Sequence, residues 1–210
     1  MLFPKTLSFL SCLLAPVVCL TGCTKKSGAP GTVEVGIASW YGHPFHGRPT
    51  ASGEIYDMEK MTAAHRTFRL GTVVRVENLA NKQTVEVRIN DRGPFVDDRI
   101  IDLSHAAAQA ISMPGITTVR LEVIRIPPTR APQVFAVQIG AFSQRSEAEN
   151  LRAKMERRYG TAELVFRDRD KKWSVLVGQQ ATLENANALA LQLGKEPAGP
   201  AFVVLVDSAE

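Results

Sequence analysis

Residues 85–104, VEVRINDRGPFVDDRIIDLS, decide how the chain is read. From Thr84 to Asn90 the side chains alternate. Val85, Val87 and Ile89 share one face, and Thr84, Glu86, Arg88 and Asn90 share the other. Period two over such a run marks a half-buried strand. The run then meets Asp91-Arg92-Gly93-Pro94, where glycine and proline must break the ladder. A carboxylate and a guanidinium are thereby presented on a sharp turn at a strand end, a common setting for catalytic groups. The same pattern suits an aspartate that only caps its own turn. On the residues alone both readings of Asp91 stand.

Further strand-like runs flank this one, at 35–40, 73–78, 100–103 and 118–126, separated by turn signals such as Ala80-Asn81-Lys82 and Pro114-Gly115. One helix is predicted over 105–112, with Ser104 as N-cap. Many short strands with a single small helix in residues 34–126 predict a closed, mainly β barrel. Polar residues collect between the strands. Glu54 lies in the Gly- and Pro-punctuated loop 43–56, and His65 follows Met61-Thr62-Ala63-Ala64. Glu54, His65 and Asp91 are expected to meet at one rim, with Trp40 and Tyr41 nearby. Aromatic faces beside carboxylates suit a sugar, whose C–H faces pack on rings while its hydroxyls seek polar partners. Arg92 is expected to point away from Asp91. His43 and His46 read as surface or hydrogen-bonding histidines, because no further ligand set accompanies them. No metal and no cofactor are expected. There is no phosphate loop, no G-x-S-x-G elbow and no catalytic cysteine.

The ends of the chain speak to location. Of 210 residues, 25 are basic and 21 acidic, for a net charge of +4. Removing residues 1–22, with Lys5, leaves +3, which is no nucleic-acid signature. Residues 7–20 are apolar but short and interrupted, as in a secretory leader. They end in Leu20-Thr21-Gly22-Cys23, which resembles the lipobox of bacterial lipoproteins. Cys23 would then carry lipid and anchor the chain to a membrane. Cys12 and Cys19 would be lost with the leader. Residues 23–33 form a small, polar tether of at most roughly 35 Å, at about 3.5 Å per residue. Thr24, rather than Asp, follows Cys23, which favours the outer membrane by the commonest sorting pattern.

The runs ASWYG (38–42), FHGRPTASGEIYD (45–57), MTAAHRT (61–67), GTVVRVENL (71–79), VRINDRGPF (87–95) and RIIDLSHAAA (99–108) carry a resemblance. In this order they resemble the rare lipoprotein A family of septal-ring lytic transglycosylases. The resemblance implies a double-psi β-barrel with active-site positions at Glu54, His65 and Asp91. Pro44, Pro49 and Ile111-Ser112 depart from the family pattern, and none is among those three.

Beyond the Pro-rich connector 127–132, residues 133–207 repeat themselves with an offset of 38. VQIGAF parallels VLVGQQ, and Ala148, Leu151 and Met155 map onto Ala186, Leu189 and Leu193, one face of a helix. Ser143 and Thr182 are predicted N-caps, Gly160 and Gly194 C-caps. Two βαβ halves predict a ferredoxin-like α+β sheet with both helices on one face. Gln138 and Leu176 point to the other, open face by alternation. This unit resembles a SPOR domain, including its Q-x-G-x-F run. The resemblance implies binding to denuded glycan, peptidoglycan stripped of stem peptides, with Gln138, Gly140, Phe142 and Leu176 as candidates. Trp40, Tyr41 and Arg92 are the substrate-binding candidates of the barrel.

The expected activity is an endolytic lytic transglycosylase acting on denuded strands at the septum, where division-site proteins are possible partners. Asp91 is the expected acid and then base. A non-catalytic glycan-binding lipoprotein and a two-carboxylate hydrolase using Glu54 and Asp91 remain open alternatives.

Overall fold

The computed structural model describes residues 29–96, 98–128 and 132–206. Cys23 with its expected lipid lies outside the described residues, as does the leader. Among the described residues, no helix is long and apolar enough to cross a membrane.

Six strands close a barrel in the order β1-β5-β2-β4-β3-β6. They are β1 (Val33–Tyr41), β2 (Thr62–His65), β3 (Val73–Asn78), β4 (Thr84–Asp91), β5 (Arg99–Ser104) and β6 (Thr117–Arg125). β1 runs parallel to β5, and β2 to β4. The other neighbours are antiparallel. Parallel neighbours cannot be joined by a tight hairpin. The chain therefore crosses over through loops, and loop 42–61 comes to lie against the end of β4, where Ser52 N–H donates to the Asn90 carbonyl at 3.1 Å. Val87 and Ile89 face a core that includes Val76, Phe68, Leu103 and Leu121. Burying each such side chain stabilises the barrel by about 1.5–3 kcal/mol.

The sequence predicts five strands here, and β2 is the sixth. Thr-Ala-Ala-His has weak strand propensity and no alternation. All four residues are buried because β2 sits between β4 and β5, with Ala63 in the core and Ala64 beneath Tyr41 and Tyr56. The helix α1 (His105–Ala110) begins as predicted, with Ser104 Oγ accepting from Ala107 N–H at 3.2 Å. It ends before Ser112, whose φ of 49° leaves the helical region.

The second unit is a four-stranded antiparallel sheet in the order β10-β7-β9-β8. Its elements are β7 (Val134–Phe142), α2 (Arg145–Tyr159), β8 (Ala162–Arg167), β9 (Lys172–Gln180), α3 (Leu183–Leu193) and β10 (Ala201–Val206). Gln138 and Leu176, related by the 38-residue repeat, oppose each other in the central strand pair. The repeat is thus a local two-fold. Thr182 caps α3 through Asn185 N–H, at 3.2 Å. Ser143 does not cap α2. Gln144 holds that position without a side-chain bond.

The sheet face without helices is not open to solvent along its length. It lies against the barrel turn after β4. Leu205 N–H donates to the Arg66 carbonyl at 3.0 Å. Phe95 meets Phe202 edge-on at 6.2 Å, and the Arg167 guanidinium carbon lies 4.2 Å from the Phe95 centroid.

Candidate functional site

Simple alternation along β4 would put Asp91 on the Ile89 face, inside the apolar core. A bulge prevents this. Ala63 pairs with Ile89 but Ala64 pairs with Asp91, so Asn90 is an extra residue on β4. A bulge re-aims the side chain after it. Asp91 therefore shares the outer face of Ala64, beside Tyr41 and Tyr56, although only 3% of it is exposed. Its Oδ1 accepts from Ala51 N–H at 3.1 Å and Arg92 N–H at 2.8 Å. These two backbone donors fix the carboxyl from the loop side and the strand side. The other oxygen, Oδ2, turns toward a cleft of about 370 Å³ between the two units. The cleft is lined by the loop residues Thr50 and Ala51, by Arg92 and Phe95, and by Gln138 and Leu176 of the sheet. That volume falls within the range of small-ligand sites.

Oδ2 already has a partner there. Arg169, in the turn between β8 and β9, places Nη1 3.0 Å from it. The sequence marks Arg169 only as part of the charged run Arg167-Asp168-Arg169-Asp170, the pattern of a solvated turn. Arg48 is also linked in, donating from Nη1 to the Arg169 carbonyl at 2.6 Å.

Glu54 stands nearby but faces elsewhere. Arg88 forks onto its carboxylate at 2.5 and 2.8 Å, and Asn90 Nδ2 lies at 3.5 Å. The Arg88 hydrogen bonds hold the Glu54 carboxyl below its usual pKa despite some desolvation. Glu54 is thus fitted to act as an anion rather than as a proton donor. It does not line the cleft.

His65 is buried and also lies off the cleft. Its Nδ1 accepts from Thr67 N–H at 3.2 Å and Phe68 N–H at 3.0 Å. That geometry puts the ring proton on Nε2, 3.3 Å from Glu34 Oε2. Burial depresses the His65 pKa, with Glu34 opposing. The His65 carbonyl accepts from Arg92 Nη1 at 3.1 Å, and the Phe68 carbonyl at 2.7 Å. Arg92 is thereby directed to the barrel backbone, and His65 helps to hold the turn that carries Asp91.

The other candidates divide in the same way. Tyr41 is buried, stacked on Tyr56 at 4.3 Å, and burial and Asp91 raise its pKa. Trp40 is exposed and tilted against His105 at 5.2 Å. Gln138 and Leu176 reach the cleft. Phe142 does not, because the pairing shifts between Ile139 and Ala141 and returns it to the helix side, against the second core. Gly140 makes that shift at φ 67°, and a Cβ there would lie 2.6 Å from Phe142 Cε2. His46 Nδ1 accepts from Met58 N–H at 3.2 Å. Among the described residues no group of three or more His, Cys, Asp or Glu side chains is placed to hold a metal ion.

Comparison with known proteins agrees with this architecture. The family model described as "Lytic transglycolase" matches residues 33–123, and the "SPOR domain" model matches 131–205. The "Endolytic peptidoglycan transglycosylase RlpA" of Pseudomonas aeruginosa is 47% identical over 127 residues, 57% of this chain and 37% of the relative. Its namesake from Neisseria meningitidis is 40% identical over 131 residues, 60% of this chain and 55% of that one. Residues 33–123 thus match the barrel family and 131–205 the SPOR family, and the chain is similar to the RlpA proteins. It spans less than two thirds of the length of these relatives. One solved structure, the peptidoglycan binding domain of the Bacillus subtilis cell wall lytic enzyme CwlC, covers 39% of this chain and all of its own, at 26% identity and a TM-score of 0.31. The fold is that of the family resemblance, a closed double-psi-like barrel followed by a SPOR domain.

Proposed function

We propose that the protein is an endolytic peptidoglycan lytic transglycosylase that cuts between N-acetylmuramic acid and N-acetylglucosamine in denuded strands. The observation that carries this reading is Asp91. It is a single carboxyl, turned out of the barrel core by the bulge at Asn90, gripped on one oxygen by two backbone amides and directed by the other into the cleft.

Such a carboxyl can act twice. As an acid it gives its proton to the glycosidic oxygen while the bond from C1 of the muramic acid breaks. As a carboxylate it then takes the proton of the C6 hydroxyl on the same sugar while O6 bonds to C1. The product is a 1,6-anhydro ring, no water is consumed, and Asp91 ends as it began. The nucleophile is part of the substrate, so no second carboxylate is needed to activate water. Glu54, held as an anion by Arg88 and set off the cleft, suits a hydrogen bond to a sugar hydroxyl further along the strand rather than contact with C1.

The lipid on Cys23, anchoring to the outer membrane and work at the septum belong to the same proposal. They are supported by the lipobox-like run, the short tether and the SPOR domain. The ion pair between Asp91 and Arg169 favours one competing reading, a glycan-binding lipoprotein without activity, since a carboxylate tied to a guanidinium donates no proton. Digestion of denuded sacculi followed by mass analysis separates them. Anhydro ends that vanish in Asp91→Asn support the transglycosylase. Reducing ends indicate a hydrolase, and no soluble product indicates a binder.

A further inference from the structure

Asp91 takes an ion-pair partner from the second domain. Arg169 reaches Asp91 from the turn between β8 and β9, and groups other than Asp91 help to hold it there. Arg48 binds its carbonyl, and its guanidinium carbon lies 5.6 Å from the centroids of both Tyr41 and Phe45. Its side chain is 16% exposed. Burial works against the charge, but Asp91, Tyr41, Asp102 and Asp170 more than offset it, so the guanidinium holds its proton more firmly than usual. Two domains thus build a fixed, largely desolvated fork suited to a carboxylate.

Asp91 occupies one arm of that fork in the free protein, Nη1 to Oδ2 at 3.0 Å, and it cannot serve as an acid while it does. Pulling the turn away would leave Asp91 without a counter-ion and would take Arg169 off its aromatic bed. An anion brought by the substrate would replace Asp91 with no net loss of pairing. Muramic acid carries one. Its lactyl ether ends in a carboxyl group, free wherever no peptide is attached, on the sugar whose C1 bond is cut. We propose that Arg169 is a specificity-determining residue that binds the free lactyl carboxylate of muramic acid and so releases Asp91 to act as the acid. This rests on the transglycosylase reading. The exchange makes and breaks no covalent bond, and Asp91 takes its proton from solvent. A peptide-bearing muramic acid offers a neutral amide in place of the carboxylate, so the exchange fails.

The test uses the full chain on two substrates: isolated denuded glycan strands, and the same strands with muramic carboxyls coupled to methylamine. The wild type should prefer the free strand in kcat/KM by about tenfold or more, as expected where a buried polar group is left unpaired by the wrong substrate. Arg169→Gln should fall on the free strand to about its level on the amidated one. Arg169→Lys, which keeps the charge but not the fork, should retain part of the preference. Binding to Asp91→Asn reads the fork without turnover. That variant should hold the free strand more tightly than the amidated one, and adding Arg169→Gln should erase the difference. Equal cleavage of both strands by the wild type overturns the proposal. So does an Arg169→Gln variant that keeps the wild-type ratio or cleaves both strands faster, since the guanidinium would then be only a plug. If the wild type releases no anhydro product, the reaction itself is refuted, and the binding preference of Asp91→Asn still decides the role of Arg169.

Discussion

Asp91→Asn removes one acid and leaves most of its surroundings intact. The amide oxygen can take over the role of Oδ1, accepting from Ala51 N–H and Arg92 N–H as the carboxylate does at 3.1 and 2.8 Å. The bulge at Asn90 depends on backbone pairing and should persist. The change falls on the Oδ2 side, where an NH₂ would face Arg169 Nη1, donor against donor. Removing one partner of a buried ion pair costs about 3–5 kcal/mol when the other charge stays trapped. Arg169 keeps Arg48 on its carbonyl and the Tyr41 and Phe45 rings beside its guanidinium, which still reaches some solvent, so the expected loss is nearer ~1–2 kcal/mol. At about 2–4 °C per kcal/mol for a chain of this size, Tm should fall by several degrees while unfolding stays cooperative. A well-placed acid is worth about 10²–10⁴ in rate, and one that also serves as the base belongs at the upper end. Chromatography and mass spectrometry of 1,6-anhydro products, run beside thermal melts, measure both effects. A folded Asp91→Asn protein that keeps more than about a tenth of the wild-type rate refutes the assignment, because no positioned acid contributes so little.

Three further predictions concern the frame. Gly140→Ala should destabilise the second domain by about 2 kcal/mol or more, combining left-handed strain with the close approach to Phe142. Gly47→Ala, at φ 82° with nothing near the added Cβ, should cost only about 1 kcal/mol, and equal denaturation midpoints for the two variants would contradict this. Ser104→Ala removes the cap of α1 and should cost about 1 kcal/mol by chemical denaturation, with no loss costing the cap its assigned role. Because burial depresses the His65 pKa, the unfolded chain binds the proton more readily than the folded one. Stability from this group is complete above about pH 6.5 and is lost as pH falls from there toward the folded value. Denaturation midpoints at pH 7.5 and 5.5 should show the drop, and His65→Asn should flatten it; an unchanged slope in the variant would assign the drop to another group.

What the chain determines by itself is local. The alternation through Ile89, the stop at Gly93-Pro94, the Ser104 cap and the 38-residue repeat are properties of neighbouring residues, so they can be read before any partner strand is known. The family runs place Asp91, Glu54 and His65 among the candidates in the same way. The tertiary structure decides where those side chains point. Thr62–His65 becomes a strand because two neighbours pair with it, not because of its own propensity. Asp91 leaves the core, and Phe142 returns to the second one, through bulges that exist only relative to a partner strand. Arg169 reaches Asp91 across 78 positions of sequence, through the docking of one domain on another. Periodicity encodes which face a residue would take in a regular element. It carries no information about an extra residue in the ladder or about a charge delivered from a distant turn.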